Sequence, residues 1–175
     1  MMLYVISALV AAISLSTGFP TYKLPVTLPR IMLEDDSCVF PESYLVEHFN
    51  IWTPAAGNGN STIINFQYTD TDTNIQTPCH FNVSSINVGV EGLAPRYACD
   101  NTIVEFIWQN NTLRMIEKTC PETSSGFEAS GSIQPQVDCF QTPDDLLIGP
   151  GTDCFAVQDQ INGTFSSLQP TPSLS

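Results

Sequence analysis

The chain has 175 residues, 42% of them apolar, enough for one domain with a buried core. Five Lys and Arg against eighteen Asp and Glu leave a formal charge of −13. That balance argues against nucleic acid as a partner, because phosphate binding needs a positive patch, and it disfavours an anionic membrane surface. The same charge suits a protein kept in solution outside a cell.

In chain order, the first element is an apolar leader, Leu3 to Leu15, followed by the small residues Ser14 to Gly18. The apolar run is shorter than the roughly 20 residues of a membrane span, and small residues suit signal peptidase. It reads as a signal peptide over 1–18, cleaved after Gly18 with Ser16 at the minus-three position, although its start carries no Lys or Arg. No membrane association is expected after cleavage. Residues 19–37 carry Pro20, Pro25 and Pro29 and then Glu34-Asp35-Asp36, an extended acidic lead-in. A β domain follows over 38–165, and the Ser/Pro-rich 166–175 reads as a flexible tail without a hydrophobic anchor.

The body reads as β throughout. Tyr44 to Phe49 is strand-like. In Thr62 to Tyr68, Ile64, Phe66 and Tyr68 fall on one face, Asn65 and Gln67 on the other. Thr69 to Asn74 is a turn by composition and Ile75 to Val83 returns, making a hairpin. Tyr97 to Cys99 opens a further block. Thr102 to Trp108 puts Val104, Phe106 and Trp108 on one face, Asn110-Asn111 turns the chain, and Leu113 to Lys118 pairs back. Phe127 to Ile133 and Cys154 to Ile161 are two more strands, and Pro143 to Leu147 could form a short helix with acidic residues in its first turn. Short strands at regular spacing predict an all-β, compact antiparallel β-barrel/sandwich with disulfides. Its core should include Ile64, Phe66, Val104, Phe106, Trp108 and Ile116.

Six cysteines, Cys38, Cys79, Cys99, Cys120, Cys139 and Cys154, span the body. Behind a secretion leader they read as up to three disulfides rather than as metal or redox ligands. Six allow fifteen pairings, which the residues alone leave open. Four sequons, at Asn60, Asn82, Asn110 and Asn162, mark candidate glycosylation sites and fit a eukaryotic secreted glycoprotein.

Chemistry is sparse. Asp70-Thr-Asp-Thr-Asn74 opens like a calcium loop, but Ile75 stands where the loop needs Gly and Phe81 where it needs Glu, so the turn reading stands and no metal is expected. His48 and His80 are too few for a zinc site, and no Gly-x-Ser-x-Gly elbow supplies a nucleophile. Glu105 and Glu117, on paired strands, are the carboxylate pair a glycosidase would need; they read as a solvated face opposite Val104, Phe106 and Ile116. Trp52, Trp108, Phe106 and Tyr97 could form an aromatic ligand surface. No catalytic residue and no cofactor is assigned.

The order of Cys38, Tyr44-Leu-Val-Glu-His-Phe49, a hairpin ending at Cys79, Arg96-Tyr-Ala-Cys-Asp100 running into Val104-Glu-Phe-Ile-Trp108, and the late pair Cys139 and Cys154 resembles the fungal secreted proteins typified by the major allergen of Alternaria. The likeness covers Cys38 to Gly163. It implies a compact β-barrel, secreted to the medium or cell wall, whose members are allergens, elicitors of plant defence, or binders of host proteins and small aromatic compounds, with no enzymatic reaction attached. It implies the bridges Cys79–Cys99 and Cys139–Cys154. In the allergen the cysteine matching Cys38 links two subunits. The added Cys120 departs from that pattern; with the two implied bridges taken, it is left for Cys38, and a disulfide-linked dimer is not expected.

The reading is a secreted non-enzymatic, allergen- or effector-like fungal protein that binds, or is perceived by, an extracellular partner of a plant host. The alternatives are a carrier of a small aromatic molecule and a secreted wall-polymer hydrolase. An open apolar interior would favour the carrier and facing carboxylates in a cleft the hydrolase. A filled interior with an exposed apolar patch would favour the interaction protein.

Overall fold

The computed structural model describes residues 38–121, 126–143 and 148–172. The signal peptide, the lead-in and most of the short helix expected at Pro143 to Leu147 lie outside the described residues. Eleven strands make up the rest: β1 (Ser43–Pro54), β2 (Ile63–Asp70), β3 (Ile75–Phe81), β4 (Tyr97–Ala98), β5 (Val104–Gln109), β6 (Thr112–Lys118), β7 (Phe127–Ile133), β8 (Val137–Thr142), β9 (Gly151–Ala156), β10 (Gln160–Thr164) and β11 (Ser167–Pro170). All pairings are antiparallel. One sheet runs β3-β2-β1-β9-β8, with β10 also paired to β1; the second runs β11-β7-β6-β5-β4. The two sheets share one core and do not close into a barrel, so the all-β class takes its sandwich form.

Local chemistry sets the joints. At the β2–β3 turn the Asp70 Oδ1 accepts from the backbone N–H of Asp72 (2.7 Å) and Thr73 (3.1 Å), a side chain replacing a backbone turn, and Asn74 takes a left-handed φ of 57°. Asn110 and Asn111, with φ of 52° and 56°, make the two-residue β5–β6 hairpin that asparagine tolerates. β1 is one strand with two partners on one edge. Its register against β2 slips between Glu47 and Asn50, where His48 has φ 53°; the first half pairs with β10 and the second with β9.

Three expectations change. The stretch Cys154 to Ile161 is two strands, because residues 157–159 bend between β9 and β10. β8 has no alternation to announce it; it pairs with β9 as an edge strand whose middle residues are exposed. The tail expected to be flexible from Ser166 instead supplies β11, which pairs with β7 from Ser167–Ser130 to Pro170–Phe127 and buries Leu168.

Of the expected core, Ile64, Phe66, Val104 and Phe106 are buried inside, and Trp108 is half-buried against Phe49, ring centroids 5.3 Å apart. Ile116 is buried on the other face of its sheet. The β5–β6 register pairs Val104 with Glu117 and Glu105 with Ile116. Cross-strand partners share a face, so Glu117 points inward with Leu113 and Met115, and Ile116 outward with Glu105. Glycine permits one close crossing: a Cβ on Gly163 would collide with the Tyr44 ring, which therefore lies over bare β10 backbone.

Candidate functional site

The six cysteines form three disulfides, Cys38–Cys120, Cys79–Cys99 and Cys139–Cys154, with Cα separations of 5.0, 4.2 and 4.0 Å, and no thiol is free. The first ties the segment leading into β1 to the chain just past the end of β6. The second joins β3 to the residue after β4, from one sheet to the other. The third is a cross-strand pair inside the β8–β9 hairpin. Asn60, Asn82, Asn110 and Asn162 are all exposed. The Asn82 Oδ1 accepts from the Ser84 N–H (2.8 Å) and hydroxyl (2.6 Å), so acceptor and hydroxyl of that sequon already touch. Asn60 Nδ2 donates to the Ile148 carbonyl at 2.9 Å.

The candidate aromatic surface is not assembled. Trp52 is buried and gives its N–H to Thr142 Oγ1 (3.2 Å); Phe106 is fully buried; Tyr97 packs between Phe81 (4.5 Å) and Phe106 (5.8 Å). These rings are spent on packing. Glu105 and Glu117 are likewise not a pair across a cleft, since they occupy opposite faces of one sheet. His48 meets Asp159 at 2.8 Å with both side chains exposed, and His80 meets Asn65 at 2.9 Å; among the described residues no serine joins either. Among the described residues no three His, Cys, Asp or Glu side chains are placed to hold a metal ion.

What the structure does bring together is a buried acid cluster at one end of the sandwich. Asp70 at the end of β2 and Glu117 near the end of β6 are 0% and 1% exposed. Tyr68 donates its hydroxyl to Glu117 Oε2 at 2.6 Å. The Thr73 hydroxyl is buried with Asp70 Oδ2 and Glu117 Oε1, and its hydrogen bonding favours the charged form of both acids. Burial pushes Glu117 up to about 8, helped by the neighbouring Asp70 charge and opposed by the Tyr68 hydrogen bond. Burial also lifts Asp70 to about 6, against the two backbone N–H groups that favour its charged form. The Tyr68 hydroxyl is pushed well above its usual range, first by burial and then by Glu117.

Beside this cluster lies a cavity of about 260 Å³. The β2–β3 turn, Ile103, the end of β6 and the Cys38–Cys120 bridge line it, with Glu117 in its wall. Sequence reasoning missed it because Ile116 was taken as the inward residue of β6. The signal was present: Arg114 and Lys118 lie four apart on that strand, and two-residue alternation that keeps both cations towards water sends Leu113, Met115 and Glu117 inward.

No family model matches the chain, and no curated protein matches it in sequence. Among solved structures, a crystal structure of the Alternaria alternata major allergen Alt a 1 is similar at TM-score 0.51 and 12% identity, covering 74% of this chain and 96% of the allergen. A second crystal structure of Alt a 1 gives 0.53 and 13%, covering 77% and 95%. The fold is like that of Alt a 1. The likeness takes in nearly the whole allergen, and this chain's three internal disulfides fit an extracellular protein.

Proposed function

We propose that this is a secreted, glycosylated, non-enzymatic protein that acts by binding an extracellular protein of a plant host, in the manner of an allergen or effector. One observation carries the reading. The interior is filled with aromatic side chains, while a stacked aromatic pair stands outside it. Phe140 on β8 and Phe155 on β9 are 55% and 45% exposed, with ring centroids 5.7 Å apart and planes 10° from parallel, and Val157 is exposed beyond them. Aromatic rings left in water beside a disulfide-braced hairpin are what interfaces use as anchors. A filled core argues against a carrier, and the separation of Glu105 from Glu117 onto two faces argues against a glycosidase. The exposure of all four sequon asparagines supports glycosylation.

The test is a pull-down from plant extracellular fluid with the wild-type protein and with the double variant Phe140→Ser, Phe155→Ser. Captured host protein should fall at least about tenfold in the variant, the equivalent of losing one interface anchor, with an unchanged melting temperature. Equal capture by both, or none by either, would refute the reading.

A further inference from the structure

We infer that the cavity between the β1–β2 loop and the chain just past β3 is the seat of the protein's own glycan, the first N-acetylglucosamine carried by Asn82. The inference rests on the glycosylation proposed above and says where one sugar lies and what it covers. The cavity holds about 220 Å³, and its walls include Trp52, Asn60, Ile63, Asn82, Val83 and Ile148. Two of the four sequon asparagines, Asn60 and Asn82, therefore line one cavity.

The two are not equivalent. Asn60 gives its Nδ2 to the Ile148 carbonyl at 2.9 Å. Asn58 Nδ2 donates to the same carbonyl (3.2 Å) and to that of Pro150 (2.5 Å). These amides stitch the β1–β2 loop to residues 148–150, so Asn60 serves as wall. Asn82 spends its other atoms instead. Its Oδ1 accepts from the Ser84 N–H and hydroxyl, and its backbone N–H donates to Ser85 Oγ at 2.9 Å. Its Nδ2, the atom that carries a sugar, has no partner among the described residues, and the turn holds that amide in one orientation before any sugar arrives. In the attachment, Nδ2 takes C1 of N-acetylglucosamine from a lipid-linked oligosaccharide diphosphate. The N–C bond forms, the C1–O bond to phosphate breaks, one amide proton is released and the lipid diphosphate leaves.

Size and chemistry suit one sugar ring. Val83 is 83% exposed and Ile63 half-buried, apolar surface for the C–H face of a sugar to cover. The side chains of Asn60 and Ser61 offer polar partners to its hydroxyl and acetamide groups. A volume of about 220 Å³ falls below the roughly 300–1,000 Å³ of drug-sized pockets, room for one hexosamine with the remaining sugars out in solvent. Tethering supplies what so small a contact lacks, because a covalently held ring faces the cavity at an effective concentration on the order of millimolar.

For the test, the whole chain is expressed in a eukaryotic secretory host and trimmed with an endoglycosidase that leaves one N-acetylglucosamine on each occupied asparagine. Peptide mass spectrometry reads occupancy, calorimetry the melting temperature, and NMR the contacts of the sugar. Asn82 should be occupied, with nuclear Overhauser contacts from its sugar to methyl groups of Ile63 or Val83. Asn82→Asp removes the attachment atom but keeps an oxygen for Ser84; Ser84→Ala breaks the sequon but keeps Asn82. Each should melt lower than wild type by about 4 °C or more. Asn110→Asp, in the β5–β6 turn and outside this cavity, should leave the melting temperature unchanged.

An occupied Asn82 with no contact to Ile63 or Val83, or unaltered melting in both Asn82→Asp and Ser84→Ala, would overturn the seat and leave glycosylation standing. Asn60 occupied with Asn82 bare would give the cavity to a different glycan and overturn the inference too. No sugar on any of the four asparagines would overturn the seat and the proposed glycosylation together, with host binding still judged by its own pull-down.

Discussion

A single carboxylate changes how this fold should respond to pH. Glu117 is raised to about 8 and Asp70 to about 6 because burial penalises their charged forms. Unfolded, both groups titrate near the ordinary carboxylate values of about 4. Between those limits the folded state holds more protons than the unfolded one, so stability falls as pH rises. The contribution is fully present below about pH 4 and is lost by the time the pH passes 8. The wild-type protein should therefore melt lower at pH 8.5 than at pH 5, by a few kcal/mol or on the order of 10 °C. Glu117→Gln should flatten that slope, leaving only the smaller part due to Asp70 below about pH 6. Calorimetry across pH 4–9 checks this; a profile of equal slope in wild type and variant would place the sensitivity elsewhere. The sequence carried half of this site. Asp70 was visible as a turn residue, since Asp at the end of an alternating strand before Thr-Asp-Thr-Asn is turn chemistry, but not its burial, which depends on a strand 47 positions away in the sequence. Glu117 was visible only to a reader who anchored β6 on Arg114 rather than Ile116.

At the scale of elements, the strands with clean alternation were legible and the edges were not. β2 and β5 bury alternate residues and could be read directly, whereas β6 buries Met115, Ile116 and Glu117 in a row, which hid its facing. β8 has four consecutive exposed residues, and β11 contains Pro170 at its end, so neither shows a buried face in its own sequence. Their pairing is decided by neighbours. Glu128 on β7 shows how such edges are held. Its carboxylate, 1% exposed, accepts two hydrogen bonds from Arg96 and one from Gln169 of β11 at 2.9 Å, tying β11 and the β3–β4 connection to one strand. The connection is folded back on itself as well, since Asn87 Oδ1 accepts from the backbone N–H of both Gly89 and Arg96 at 2.9 Å. Arg96→Met should strip the partner from a buried carboxylate and cost about 3–5 kcal/mol. Urea unfolding gives the magnitude, and limited proteolysis should open first within residues 82–96. A loss below about 1 kcal/mol would mean the pair behaves as an exposed one.

For the whole molecule, the disulfides decide assembly as well as stability. Their sequence separations are 82, 20 and 15 residues, so the loop-entropy estimate gives Cys38–Cys120 about 4.5 kcal/mol and the other two about 3 each. The longest loop is also the one that sets this chain apart from the allergen pattern it resembles. With Cys38 bonded to Cys120, all six sulfurs are used within one chain and none remains to link two copies. The charge of −13 adds mutual repulsion between copies. The protein should therefore run as a monomer on a non-reducing gel, and Cys120→Ser should change that by freeing Cys38, producing a reductant-sensitive dimer band while losing several kcal/mol of stability. A wild-type dimer band that disappears both with reductant and in Cys38→Ser would show that Cys38 serves an intersubunit bridge, and the cavity wall beside it would then belong to a dimer interface.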